Sequence, residues 1–274
     1  MRAFLLAAWG AALLVAALAC GGGSASTSPV TPVPQTPIRI GYLHHSTGGN
    51  IWAGGVQGFI TTYNSAHGTG YQITEVTYPS TAGGYPWVNY PYDYWNLWVS
   101  RTGSQQDRGE LNLDQLTAQF DVIVFKHCFP VSSIGPDSDC NPPSVSSGIQ
   151  TIANYQLQYN ALKTRMKQFP GTRFILWTGA AQTQATVSSA SAQRARDFFT
   201  WVKTSWDQPG DNIFLWDFFE LETEGGNVLK DAYAVSASDP HPNAAFSRVV
   251  APYIGKRIVD VIEGRGDTGR MDGK

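Results

Sequence analysis

Ile38-Arg39-Ile40-Gly41-Tyr42-Leu43-His44-His45-Ser46-Thr47-Gly48-Gly49-Asn50 joins two different hydrophobic periods. Ile38–Leu43 is a short apolar run and predicts a buried strand. Beyond Asn50, Trp52, Val56, Phe59, Ile60 and Tyr63 recur at helical spacing and predict a helix over Ile51–Tyr63. Between them stands one small hydroxyl residue followed by glycines. A serine exposed on a strand-to-helix turn is well placed as a nucleophile. The helix N-terminus beside it offers backbone N–H groups to a developing oxyanion.

The same alternation continues outward. Tyr71–Tyr78 predicts a second strand. Pro79 to Gln106 is irregular and rich in Gly, Pro, Tyr and Trp, and Leu111–Phe120 predicts a short helix. Asp121-Val122-Ile123-Val124-Phe125 is apolar without interruption after the Asp, as in a strand covered on both faces. Helix Ser147–Gln168 is stopped by Pro170-Gly171; strand Arg173–Trp177, helix Ser191–Trp206, strand Ile213–Trp216 and helix Asn243–Glu263 follow. Five strands separated by helices predict one α/β domain over 38–264, a three-layer α/β/α sandwich on a five-stranded parallel sheet. Residues 265–274 read as a disordered tail.

The formal net charge is −2 and there is no basic run, so the chain carries no electrostatic footprint for nucleic acid. Met1–Cys20, with Arg2, an apolar core and Ala17-Leu18-Ala19-Cys20, resembles a bacterial lipoprotein signal, which makes Cys20 the lipidation site; an ordinary secretory peptide is the alternative. Its apolar run is shorter than the ~20 residues of a spanning helix. Residues 21–37 read as a flexible tether rich in Gly, Ser, Thr and Pro. The expected location is outside the cytoplasm, anchored by lipid at the periplasmic face of the outer membrane or at the cell surface. Cys128 and Cys140 form an even pair that an oxidising compartment would bridge; two unpaired thiols are the alternative.

In doubly wound sheets, sites form beyond the carboxyl ends of the strands. His44, His45 and Ser46 follow the first strand, Lys126 and His127 the third, Thr178 and Gly179 the fourth, and Asp239 and His241 the fifth. Taken singly, Ser46 is a helix cap, and Asp239 and His241 are turn residues. Taken together they supply a nucleophile, a base and an acid that orients the base.

These residues resemble the SGNH (GDSL-type) serine hydrolases. Tyr42-Leu43-His44-His45-Ser46-Thr47-Gly48 falls where that family's first block stands, and Ser238-Asp239-Pro240-His241-Pro242-Asn243 where its last block stands. The resemblance implies a flavodoxin-like sandwich and an ester hydrolase with Ser46, His241 and Asp239 as its catalytic residues. It implies oxyanion donors from the Ser46 amide, from Gly83 or Gly84 and, in place of the family's asparagine, from Lys126 or His127. Two departures stand out: His45 rather than Asp precedes the serine, and the acid lies two rather than three residues before the histidine, where Ser238 holds the family position.

Candidate substrate contacts are His45, Asn50, Trp87, Tyr94 and Trp95. The last three lie in an aromatic segment that reads either as a platform for sugar rings or as a lid packed on the core. The preferred reading is a serine esterase acting on O-acyl, such as O-acetyl, carbohydrate, with no cofactor and no metal. A metal hydrolase built on His44, His45, His127, His241 and Asp239 is a second reading. A non-catalytic lipoprotein that binds glycan or a partner is a third. The sequence leaves the oligomeric state open.

Overall fold

The computed structural model describes residues 37–80 and 82–274. The expected signal peptide, the Cys20 lipidation site and the tether up to residue 36 lie outside the described residues.

In chain order, β1 (Arg39–His44) leads into α1 (Thr47–Ala53) and α2 (Val56–His67), and β2 (Gln72–Thr77) into α3 (Pro91–Tyr94) and α4 (Leu113–Gln119). Then come β3 (Val122–Phe125), α5 (Ile152–Met166), β4 (Arg173–Trp177), α6 (Ser189–Trp201) and β5 (Ile213–Trp216). The chain closes with α7 (Phe218–Thr223), a hairpin of β6 (Ala234–Ser236) and β7 (Asp239–Pro242), and α8 (Ala244–Ile262). The main sheet runs β2-β1-β3-β4-β5 with every pair parallel.

Alternate residues of one strand enter opposite cores, which makes the sandwich three-layered. Val122 and Val124 join Ile40, Tyr42 and Trp177 under Ile51, Val56 and Ile60 of the first two helices and Ile254 and Ile258 of α8. Ile123 and Phe125 join Leu43, Phe174 and Leu176 under Leu116 of α4, Tyr155 and Tyr159 of α5 and Phe198 of α6. The expected α/β/α sandwich with a five-stranded parallel sheet is the observed fold.

Several boundaries differ for identifiable reasons. The helix expected over Ile51–Tyr63 is two helices. Gly55 has φ 119°, and Gly54 packs so closely on α8 that a Cβ would lie 2.3 Å from the Ser247 carbonyl oxygen. Expected to start at Ser147, α5 instead starts after Thr151, whose hydroxyl accepts the Asn154 amide. The preceding residues are held as a loop by the side chains of Asn154 and Gln158. Residues 265–274, expected to be disordered, are docked on the domain. They supply acceptors to buried donors: Asp272 O to Trp216 Nε1 at 3.0 Å, Met271 O to the Asp217 amide at 2.9 Å.

The Cys128–Cys140 bridge is not formed. Cys128 Sγ is buried 3.1 Å from Lys126 Nζ, whereas Cys140 Sγ lies 3.5 Å from Ser147 Oγ. Each thiol therefore has its own polar neighbour.

Most of the aromatic segment is packed on the core. Tyr85, Tyr90, Tyr94, Leu97 and Trp98 are buried in the core beneath β2 and β3. The fold of this segment is organised by Asp93, whose carboxylate accepts the amides of Val88 and Asn89 and the hydroxyl of Tyr85. Burial raises the Asp93 pKa, and those amide bonds oppose the rise. Trp87 stays half-buried at the surface.

Candidate active site

β1 delivers the chain to a sharp turn at the carboxyl edge of the sheet. Ser46 occupies it with φ 50° and ψ −112°, a region that non-glycine residues rarely adopt. Gly48 makes the turn possible, because a Cβ there would lie 2.4 Å from His44 Cβ and 3.0 Å from Lys126 Cδ. The result is an exposed serine above a buried floor of His44, His45, Thr47 and Gly48.

Ser46 Oγ is hydrogen-bonded to His241 Nε2. His241 Nδ1 lies 2.6 Å from Asp239 Oδ1, which also accepts the His241 backbone amide at 3.2 Å. With Nδ1–H donating to the carboxylate, Nε2 is left as an acceptor for the serine proton. Bonding to His241 holds the Asp239 carboxyl below its ordinary range.

The unusual spacing of acid and base follows from the local structure. The segment expected to be a loop is β7, and residues two apart in a strand face the same way. Asp239 and His241 thus project together, while Ser238 Oγ lies 3.3 Å from Ser236 Oγ.

Three side chains secure the hairpin. Asn50 Nδ2 donates to Pro242 O at 2.9 Å, and Thr183 Oγ1 donates to Ala237 O at 2.6 Å. Asn243 Nδ2 donates to the Ala232 and Ala234 carbonyls while its Oδ1 caps α8 through the Phe246 amide. The Phe129 ring meets the His241 ring edge-on, with centroids 5.1 Å apart.

Lys126 is buried, with Nζ 3.2 Å from His45 O and none of its hydrogen bonds made to Ser46. His127 is fully buried among Tyr94, Phe125 and Tyr159 with neither ring nitrogen partnered, which excludes it as an oxyanion donor. Burial holds its pKa well below the ordinary value. Gly83 and Gly84 lie against Arg108: a Cβ on Gly83 would lie 1.6 Å from its carbonyl oxygen, and Gly84 O accepts from its guanidinium.

His45 is buried, bonded through Nε2 to Pro79 O and stacked on Trp87 at 3.8 Å, so it supports the turn rather than presenting a substrate contact. Asn50 holds the hairpin. Tyr94 is buried and donates its hydroxyl to Lys126 O, which removes it from the surface. Trp95 packs on Tyr92. Trp87 is the aromatic candidate that reaches the vicinity of Ser46, through His45.

No three His, Cys, Asp or Glu side chains among the described residues converge to hold a metal ion. His44 turns to Glu75 at 2.8 Å, His45 to a carbonyl, and His127 into the aromatic core.

Sequence reasoning missed Phe129, Thr183 and Glu222. Phe129 stood in the segment after β3, on the edge already singled out, and carried that signal. Glu222, on α7, is buried with Oε2 2.7 Å from the Ala181 amide and had no sequence signal. Burial raises its pKa well above the ordinary value; the Ala181 amide and the Lys126 charge oppose the rise.

Neither a family model nor a curated protein sequence matches the chain. Two solved structures resemble it in backbone course. One is an acetyl xylan esterase, 14% identical, with a TM-score of 0.47 over 78% of this chain and 96% of that one. The other is a gut microbial diltiazem-metabolizing enzyme, 12% identical, with a TM-score of 0.45 over 85% of this chain and 47% of that one. At these scores the likeness is one of overall chain path.

Proposed function

We propose that the protein is a serine hydrolase of carboxylic esters, of the SGNH type suggested by its first and last motifs. The observation that carries this reading is the continuous hydrogen-bonded chain Ser46–His241–Asp239 on a strained, exposed turn.

Ser46 Oγ attacks the ester carbonyl as His241 Nε2 takes its proton. Asp239 holds the imidazole in the required tautomer and stabilises the imidazolium that forms. The tetrahedral oxyanion falls beside the Ser46 amide, which donates to no acceptor among the described residues. As the intermediate collapses, His241 returns the proton to the departing alcohol. Water, activated by the same imidazole, then releases the acid from the acyl-serine.

Export, lipid anchoring at Cys20 and an O-acylated carbohydrate substrate complete the proposal. The amino-terminal motif supports the first two. The half-buried Trp87 beside the serine turn supports the third, since sugar C–H faces pack on indole.

The test is release of acetate from an aryl acetate and from acetylated xylan. Turnover by the wild type that disappears in Ser46→Ala supports the serine reaction. Equal turnover in both proteins excludes it, and aryl ester turnover without xylan deacetylation excludes the carbohydrate assignment for that polymer.

A further inference from the structure

Lys126 is a large charged side chain that the reaction scheme above does not use. It sits at the end of β3, is 1% exposed, and forms no salt bridge among the described residues. Its Nζ meets two acceptors, His45 O at 3.2 Å and Cys128 Sγ at 3.1 Å. Burying an ammonium without a carboxylate in contact is costly to stability.

The His45 carbonyl belongs to the same peptide unit as the Ser46 amide. In a trans peptide, C=O and N–H point in opposite directions. The Lys126 ammonium and the Gly48 amide, the latter at 2.9 Å, both hold the His45 oxygen inward. The Ser46 N–H must then point outward, on the side where the Ser46 side chain is exposed. A cation on the carbonyl also polarises the peptide and strengthens its N–H as a donor.

We propose that Lys126 is a positioning residue for acyl transfer: its buried ammonium fixes and polarises the His45–Ser46 peptide so that the Ser46 amide faces the developing oxyanion. This rests on the serine hydrolase reading. It places the group that compensates for the missing family asparagine behind the nucleophile rather than beside the substrate. Its positive charge, with no carboxylate at salt-bridge distance among the described residues and Glu222 the nearby buried acid it acts on, is complementary to the charge that appears in the transition state.

The test uses Lys126→Met, Lys126→Gln and Ser46→Ala in the full chain. It measures kcat and KM on an aryl acetate, the rate of phosphonylation of Ser46 by a fluorophosphonate read by peptide mass spectrometry, and the thermal midpoint. Outright loss of one oxyanion donor costs roughly 10²–10³ in kcat. Loss of its orientation in Lys126→Met should therefore lower kcat and the phosphonylation rate about 10- to 100-fold. KM should stay within about threefold, since the effect acts in the transition state. The thermal midpoint should be unchanged or higher, because a buried charge that forms no salt bridge among the described residues has been removed while burial holds Glu222 toward its neutral form. Lys126→Gln, which keeps a donor for His45 O without the charge, should fall between Met and wild type.

Wild-type rates in a folded Lys126→Met protein overturn the proposal, as does a loss of rate that merely tracks a lowered midpoint. If the Met variant does not fold, wild-type rates in Lys126→Gln overturn it in the same way. Absence of a fluorophosphonate adduct on Ser46 in the wild type overturns the hydrolase reading itself. An adduct forming equally fast in wild type and Lys126 variants overturns only the role of the lysine.

Discussion

Replacing Ser46 by glycine should stabilise the protein relative to replacing it by alanine. The Ser46 backbone lies at φ 50°, ψ −112°. Holding a residue with a Cβ in so sparsely populated a region costs about 1–3 kcal/mol, and glycine relieves most of it. Glycine also gains freedom in the unfolded chain, worth about 0.4–1 kcal/mol in the opposite direction. Both variants lose the Oγ–His241 bond, so that loss cancels between them. The net expectation is Ser46→Gly more stable than Ser46→Ala by roughly 0.5–2 kcal/mol, or about 1–8 °C in thermal midpoint at 2–4 °C per kcal/mol. Urea and thermal unfolding followed by near-UV circular dichroism measure the difference, with both variants inactive on an aryl acetate. An alanine variant as stable as the glycine variant, or more so, would refute the strained turn and the exposure of Ser46 that follows from it.

Three other changes probe the supports of the site. Asp239→Asn should lower kcat by roughly 10- to 10³-fold, less than the ~10⁴ seen when a fully buried triad acid is changed, because Asp239 is half exposed; steady-state kinetics on an aryl acetate checks it. Asn50→Leu removes the donor to Pro242 O and should cost about 1 kcal/mol in urea unfolding together with part of kcat, since β7 carries both Asp239 and His241. Glu222→Gln should raise the thermal midpoint at pH 8 and change it little at pH 4. The folded protein retains the Glu222 proton that the unfolded chain releases, so wild-type stability falls as pH climbs from the ordinary carboxyl value toward the raised folded one. Midpoints across that pH range decide it, and a glutamine variant destabilised most at high pH would mean that Glu222 is ionised and paired in the fold.

The serine turn was legible because three local signals agreed: an apolar run, a glycine pair, and a change of period from strand to helix at one serine. β3 was equally plain, since Val122–Phe125 is apolar at every position and both of its faces are in fact covered. The histidines were only half legible. Four were rightly placed on the carboxyl edge, but strand alternation and burial take His44 to Glu75 and His127 into the aromatic core, and only His241 to Ser46. The Asp239 spacing looked irregular because Ser238-Asp239-Pro240-His241-Pro242, with two prolines, reads as a loop. Its strand character depends on pairing with β6 and on the contacts of Asn50 and Thr183, which local pattern does not contain. Composition likewise could not separate core from surface in the aromatic segment. Tyr94 and Trp98 are buried under α5, whereas Trp87 half emerges, and the sorting is done by Asp93 gathering the loop amides. The two cysteines illustrate a similar limit, because an even count says nothing about the separate polar neighbours of Cys128 and Cys140.

The central claim is that Ser46 becomes acylated during turnover. Rapid acid quench of the wild type during hydrolysis of an aryl acetate, followed by peptide mass spectrometry, should reveal an acetyl group on the peptide containing Ser46. That adduct should be absent from Ser46→Ala, which should also be inactive. Undiminished hydrolysis by Ser46→Ala, with no acetylated serine at any time point in the wild type, would contradict the claim.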